Sequence, residues 1–81
     1  MTSSTERLSL DRIGPGRRVV LRALPPERAL QSRLMLLGVF IGARADVLHS
    51  RRAGPLLIRV RNTLVAIGRE EAKSILVDVA E

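Results

Sequence analysis

Apolar and polar residues alternate along RRVVLRAL, residues 17–24, so that Val19, Leu21 and Ala23 share one face while Arg18, Val20 and Arg22 share the other. A period of two is the signature of a half-buried strand. The pattern changes after Pro25-Pro26: ERALQSRLMLL places Leu30, Leu34 and Leu37 on one helical stripe, with Arg28, Ser32 and Met35 opposite and Leu36 at the margin. A helix over residues 27–37 is predicted, with Pro26 in its first turn and Met35 exposed. Gly38 should stop it by taking the left-handed cap, and Gly42 should let the chain bend into the next strand.

The period of two returns in ARADVLHS, residues 43–50, with Ala45, Val47 and His49 on one face and Arg44, Asp46 and Leu48 on the other. PLLIRVR, residues 55–61, sets Leu56, Ile58 and Val60 inward against Leu57, Arg59 and Arg61. Asn62 tolerates left-handed backbone and so suits a tight hairpin into TLVAIG. REEAKS has room for about one helical turn. ILVDV then closes the series with Ile75, Val77 and Val79 inward. Short half-apolar strands in this order suit a small closed or nearly closed barrel. The expected fold is mainly β, an SH3-like barrel with one inserted α-helix and a short helical turn before the last strand. Residues 1–7 lack a period and are expected to be flexible, leaving 8–81 as a single domain.

Composition narrows the chemistry. The chain has 81 residues, 46% of them hydrophobic, and no cysteine, which excludes disulfides and thiolate metal sites. The longest apolar run, Leu34 to Ala43, is about half of the ~20 residues a spanning helix needs. MTSSTERL carries no signal-like apolar segment, so a cytoplasmic protein is expected. Net charge is +6 and arginine supplies thirteen of the 14 basic residues, which permits an acidic partner or nucleic acid. One aromatic residue, Phe40, argues against a single-strand reader, which stacks bases on several rings.

The order of GPG before the first strand, RLMLLGVFIGARADVL, and GPLLIRVRNTLVAIGREEAKSILV resembles the FeoA family over residues 8–79. The helix motif is carried by Arg33, Leu34, Leu37 and Gly38, and the second glycine by Gly42. The resemblance implies a cytosolic protein that works with the FeoB-type ferrous-iron transporter and is recruited through it to the inner face of the membrane. The same module ends metal-dependent repressors of the diphtheria-toxin-repressor type. Three turn positions depart from the family pattern: Ile41 replaces a proline, no aspartate precedes Pro55, and Asn62 replaces a glycine.

Catalytic candidates do not survive inspection. His49 is the only histidine and reads as structural or surface, because Asp46 would face the other side of its strand. Glu70 and Glu71 are neighbours that point about 100° apart on a helix and read as N-terminal acids. Gly14-Pro15-Gly16 lacks the lysine and hydroxyl of a phosphate loop, and no serine sits in a nucleophile elbow. The chain is therefore read as a non-enzyme without cofactor, metal site or small-molecule substrate. Its leading role is an interaction module that regulates or assembles the transporter, docking through Arg28, Ser32, Met35 and Leu36. The rival surface is Arg51, Arg52, Arg59 and Arg61. Two alternative roles are a nucleic-acid-binding protein using that cluster and a stand-alone metal-regulator module. Exposed Met35 and Leu57 would permit weak self-association.

Overall fold

The computed structural model describes residues 7–50 and 53–80. Six antiparallel strands form one sheet: β1 (Leu8–Ser9), β2 (Arg18–Ala23), β3 (Arg44–His49), β4 (Leu56–Val60), β5 (Thr63–Ile67) and β6 (Leu76–Val79). Helix α1 (Arg28–Leu36) is inserted between β2 and β3, and the one-turn helix α2 (Arg69–Ala72) precedes β6. The order across the sheet is β1-β6-β2-β3-β4-β5, which is the expected mainly-β SH3-like architecture with its sheet left open. Most of the inward residues read from the alternation on β2, β4 and β6 form the core, with Val19, Leu21, Leu56, Ile58 and Val77 fully buried and joined by Ile67 of β5, while Val79 is half-buried at its edge.

The start of the chain contains structure that its sequence did not announce. Leu8 and Ser9 pair with Val77 and Leu76, and a single 3-10 turn, Leu10–Arg12, follows. Leu10 is fully buried, and its N–H donates to the Ile75 carbonyl at 2.8 Å. Two residues are too few to display a period, so hydrophobic patterning cannot reveal such a strand.

Helix α1 begins later than expected, at Arg28, because Glu27 keeps an extended backbone (φ −72°, ψ 123°). Pro25 is buried, and its carbonyl accepts a hydrogen bond from Gln31 Nε2 at 2.6 Å, which ties the Pro-Pro approach to the helix from outside it. At the other end Gly38 has φ +92°, as its sequence position required. The Gly38 N–H donates to the Met35 carbonyl at 3.0 Å and the Val39 N–H to the Leu34 carbonyl at 2.9 Å, the two bonds of a Schellman cap. That reversal corrects the predicted stripe. Leu34 is buried, Leu30 is half-buried, and Leu37 is 41% exposed, because it sits on the cap where the helical rotation has ended. Val39 takes the inward place and is fully buried.

Three further positions depart from strict alternation. Ala23, read as inward, is only half-buried, because the β2–β6 register shifts between Leu21 and Ala23. His49 is exposed rather than inward: Val47 pairs with Ile58 but His49 pairs with Leu57, so a bulge adds one residue to β3 and turns His49 over. Arg61 lies in the hairpin turn and not on β4, since Val60 pairs with Thr63 and leaves Arg61 and Asn62 as the two-residue loop. Both have positive φ, 52° and 68°, the pattern of a type I′ turn.

Candidate functional site

The C-terminal end of α1 exposes more apolar surface than folding needs. Met35 is 55% exposed, Leu36 88% and Ile41 61%, all within seven residues of chain. Met35 and Ile41 line an open groove of about 480 Å³ together with Leu24, Ala23, Gln31, Phe40 and Arg22. The spacing of Gln31 and Met35, four residues apart, puts both on the helix edge that faces the groove. Of the docking residues expected from sequence, Met35 enters this groove and Leu36 stands exposed beside it. Arg28 and Ser32 are exposed on the same helix, outside the groove lining. Leu24, Phe40 and Ile41 were not foreseen as part of it. For Ile41 the signal was its departure from the proline of the resembled pattern, which adds an exposed branched side chain; Leu24 and Phe40 gave none.

A second groove, of about 550 Å³, lies on the outer face of β2, β3 and β4. Register builds it: Arg18 pairs with Asp46 across β2 and β3, and Asp46 pairs with Arg59 across β3 and β4. Arg18 Nε donates to Asp46 Oδ1 at 3.0 Å, and an Arg59 terminal nitrogen donates to Oδ2 at 3.5 Å. The Arg18 hydrogen bond, helped by the Arg59 charge, holds the Asp46 carboxyl below the usual aspartate range. Arg44, Ala45, Arg61 and Asn62 complete the lining, so four arginines and one carboxylate share the groove, with two of the arginines bonded to the carboxylate. Arg61 also lies over the Phe40 ring, 5.5 Å from its centroid. The rival cluster expected from sequence is thus divided. Arg59 and Arg61 belong to this groove, whereas Arg51 and Arg52 lie outside the described residues. Arg18 and Arg44 join it from distant positions, and their outward alternation was the available clue.

Other polar groups have structural partners. The Gly68 N–H donates to Glu71 Oε1 at 3.3 Å, and Arg33 donates to Glu71 Oε2 at 3.3 Å, so Glu71 caps α2 and ties it to α1. Glu70 pairs with Lys73 at 3.1 Å. Asp78 is only 8% exposed and accepts from Arg22 Nε at 2.7 Å. Leu57 is half-buried, which leaves Met35 as the exposed member of the pair considered for self-association. Among the described residues, no three His, Cys, Asp or Glu side chains converge as metal ligands.

Comparison with known proteins places the fold. The model of a family described as the FeoA domain matches residues 8–79. A crystal structure of an iron uptake regulatory protein, FeoA, superposes with a TM-score of 0.85 at 27% identity, covering 93% of this chain and 100% of that one. The solution structure of FeoA from Chlorobium tepidum gives a TM-score of 0.85 at 28% identity, covering 91% of this chain and 71% of the other. A manganese-dependent transcriptional repressor shares the fold, with a TM-score of 0.84 at 18% identity, and 96% of this chain spans 44% of that protein. Comparison with curated protein sequences gives no match.

Proposed function

We infer its task from the premise that the chain belongs to the FeoA family, and with it to ferrous-iron uptake. We propose that it is a non-catalytic interaction module that binds the cytosolic part of a FeoB-type ferrous-iron transporter and regulates or assembles it. The docking surface is the outer side of α1, with Met35 and Leu36 at its centre and Arg28 and Ser32 along its N-terminal half. The observation that carries this reading is the exposed apolar cluster at the end of α1, beside a groove that no part of the described chain fills. Apolar side chains held in this manner, next to arginine, are what a protein partner buries. The groove is open, which suits a partner's side chain better than an enclosed small molecule. No helix among the described residues is long and apolar enough to cross a membrane, so the partner would bring the module to the inner face.

The test is co-purification of the full chain with the organism's own transporter, with and without guanine nucleotide. Met35→Asp should abolish association while melting like the parent. Undiminished association of a folded Met35→Asp variant would refute docking through this groove.

A further inference from the structure

The two grooves share a boundary. Phe40 lines the apolar one, Arg61 lines the basic one, and Arg61 rests over the Phe40 ring. A side chain seated against Met35 and Phe40 therefore places the next part of its own chain beside guanidinium groups. Asp46 cannot neutralise them all. It accepts from Arg18 at Oδ1 and from Arg59 at Oδ2, and among the described residues neither Arg44 nor Arg61 has a carboxylate partner, so their donors remain for an outside acceptor. The Arg61 backbone at φ +52° holds that side chain at the junction, in a conformation that non-glycine residues seldom adopt.

We propose that the basic groove is the second half of the docking surface and receives carboxylates from the same partner segment whose apolar residue enters the Met35 groove. This rests on the transporter-docking reading and adds to it the chemistry of the segment: an apolar anchor followed closely by acidic residues. Planar guanidinium forks bind carboxylates with two parallel hydrogen bonds, which fixes register as well as supplying attraction. A single-stranded nucleic acid is the poorer occupant. The chain has one aromatic ring, half-buried against the core and overlain on one side by Arg61, whereas single-strand readers stack successive bases on several exposed rings.

Binding of the full chain to detergent-solubilised transporter, measured at low and at physiological salt, tests the proposal. Raising the salt should weaken the parent several-fold, because steering by exposed charges is screened. Arg44→Glu/Arg61→Glu should bind at least about tenfold more weakly and lose most of the salt dependence. Arg44→Glu alone, at an exposed strand position clear of the turn, should shift both in the same direction if the double variant melts early. If charge reversal leaves binding intact while Met35→Asp abolishes it, the acidic half is wrong and the docking reading stands. If neither change matters, the docking reading itself falls. Duplex DNA and phosphatidylglycerol vesicles serve as competing probes. Capture of either at physiological salt, lost on charge reversal while transporter binding persists, would assign the groove to a different polyanion and overturn the proposal.

Discussion

Val39 donates its backbone N–H to the Leu34 carbonyl across the end of α1, at 2.9 Å, and the side chains of the same two residues are both buried. The turn that brings them together depends on Gly38 at φ +92°. A Cβ there would meet Val60 Cγ1 at 3.7 Å, an ordinary contact, so the cost of substitution is conformational and not steric. Gly38→Ala should lower stability by about 1–2 kcal/mol, and Gly38→Val by more. Urea melts of the two variants check the order.

Core membership at the helix end follows the cap. Leu34→Ala should destabilise by roughly 2–5 kcal/mol, since Leu34 is 2% exposed and leaves a cavity. Val39→Ala should cost about 1–3 kcal/mol, whereas Leu37→Ala should stay within about 0.5–1 kcal/mol. Equal effects at positions 37 and 39 would contradict the reversal at Gly38.

Asp46 should titrate below an ordinary aspartate because Arg18, and then Arg59, favour its charged form. With the folded pKa lowered, the pair's contribution is present above the unfolded value of about 4 and is lost as pH falls through the folded one. Both residues are exposed enough for solvent to keep that contribution small. Carboxyl NMR gives the midpoint directly, and Arg18→Ala should raise it toward the ordinary range.

Asp78 offers a sharper case, being nearly buried, with Oδ2 on Arg22 Nε at 2.7 Å and Oδ1 without a hydrogen bond. Arg7 stands 3.9 Å from Oδ1, too far to donate well. Arg22→Ala would leave the carboxylate desolvated and poorly paired, and should cost about 1–3 kcal/mol. Arg22→Lys should recover part of this, as read from denaturant midpoints.

The strands β2 to β6 were legible because each is four or more residues long and one-sided, so the period of two survives. What the pattern hid were events that break a period: the cap that exchanges Leu37 for Val39, the bulge that turns His49 outward, and the turn that removes Arg61 from β4. The candidate site was legible only in part for a related reason. Met35 announced itself by falling off the apolar stripe, but the groove around it is made by Leu24 and Ile41, and the basic groove by Arg18 and Arg44. Arg18 and Arg44 meet through strand register, and Leu24 and Ile41 through the connections that flank α1, neither of which one-dimensional spacing encodes.

The open sheet has a consequence for the behaviour of the protein in concentrated solution. Of its two edges, β1 offers only two residues, but β5 presents five, Thr63–Ile67, with no partner on the side away from β4 among the described residues. TLVAI contains neither a charge nor a proline, the usual guards against strand addition, and Leu64 is 60% exposed on it. Repulsion between chains carrying +6 each opposes such pairing. High salt or a polyanionic additive, by masking that charge, removes the barrier to edge-on stacking of one sheet upon the next.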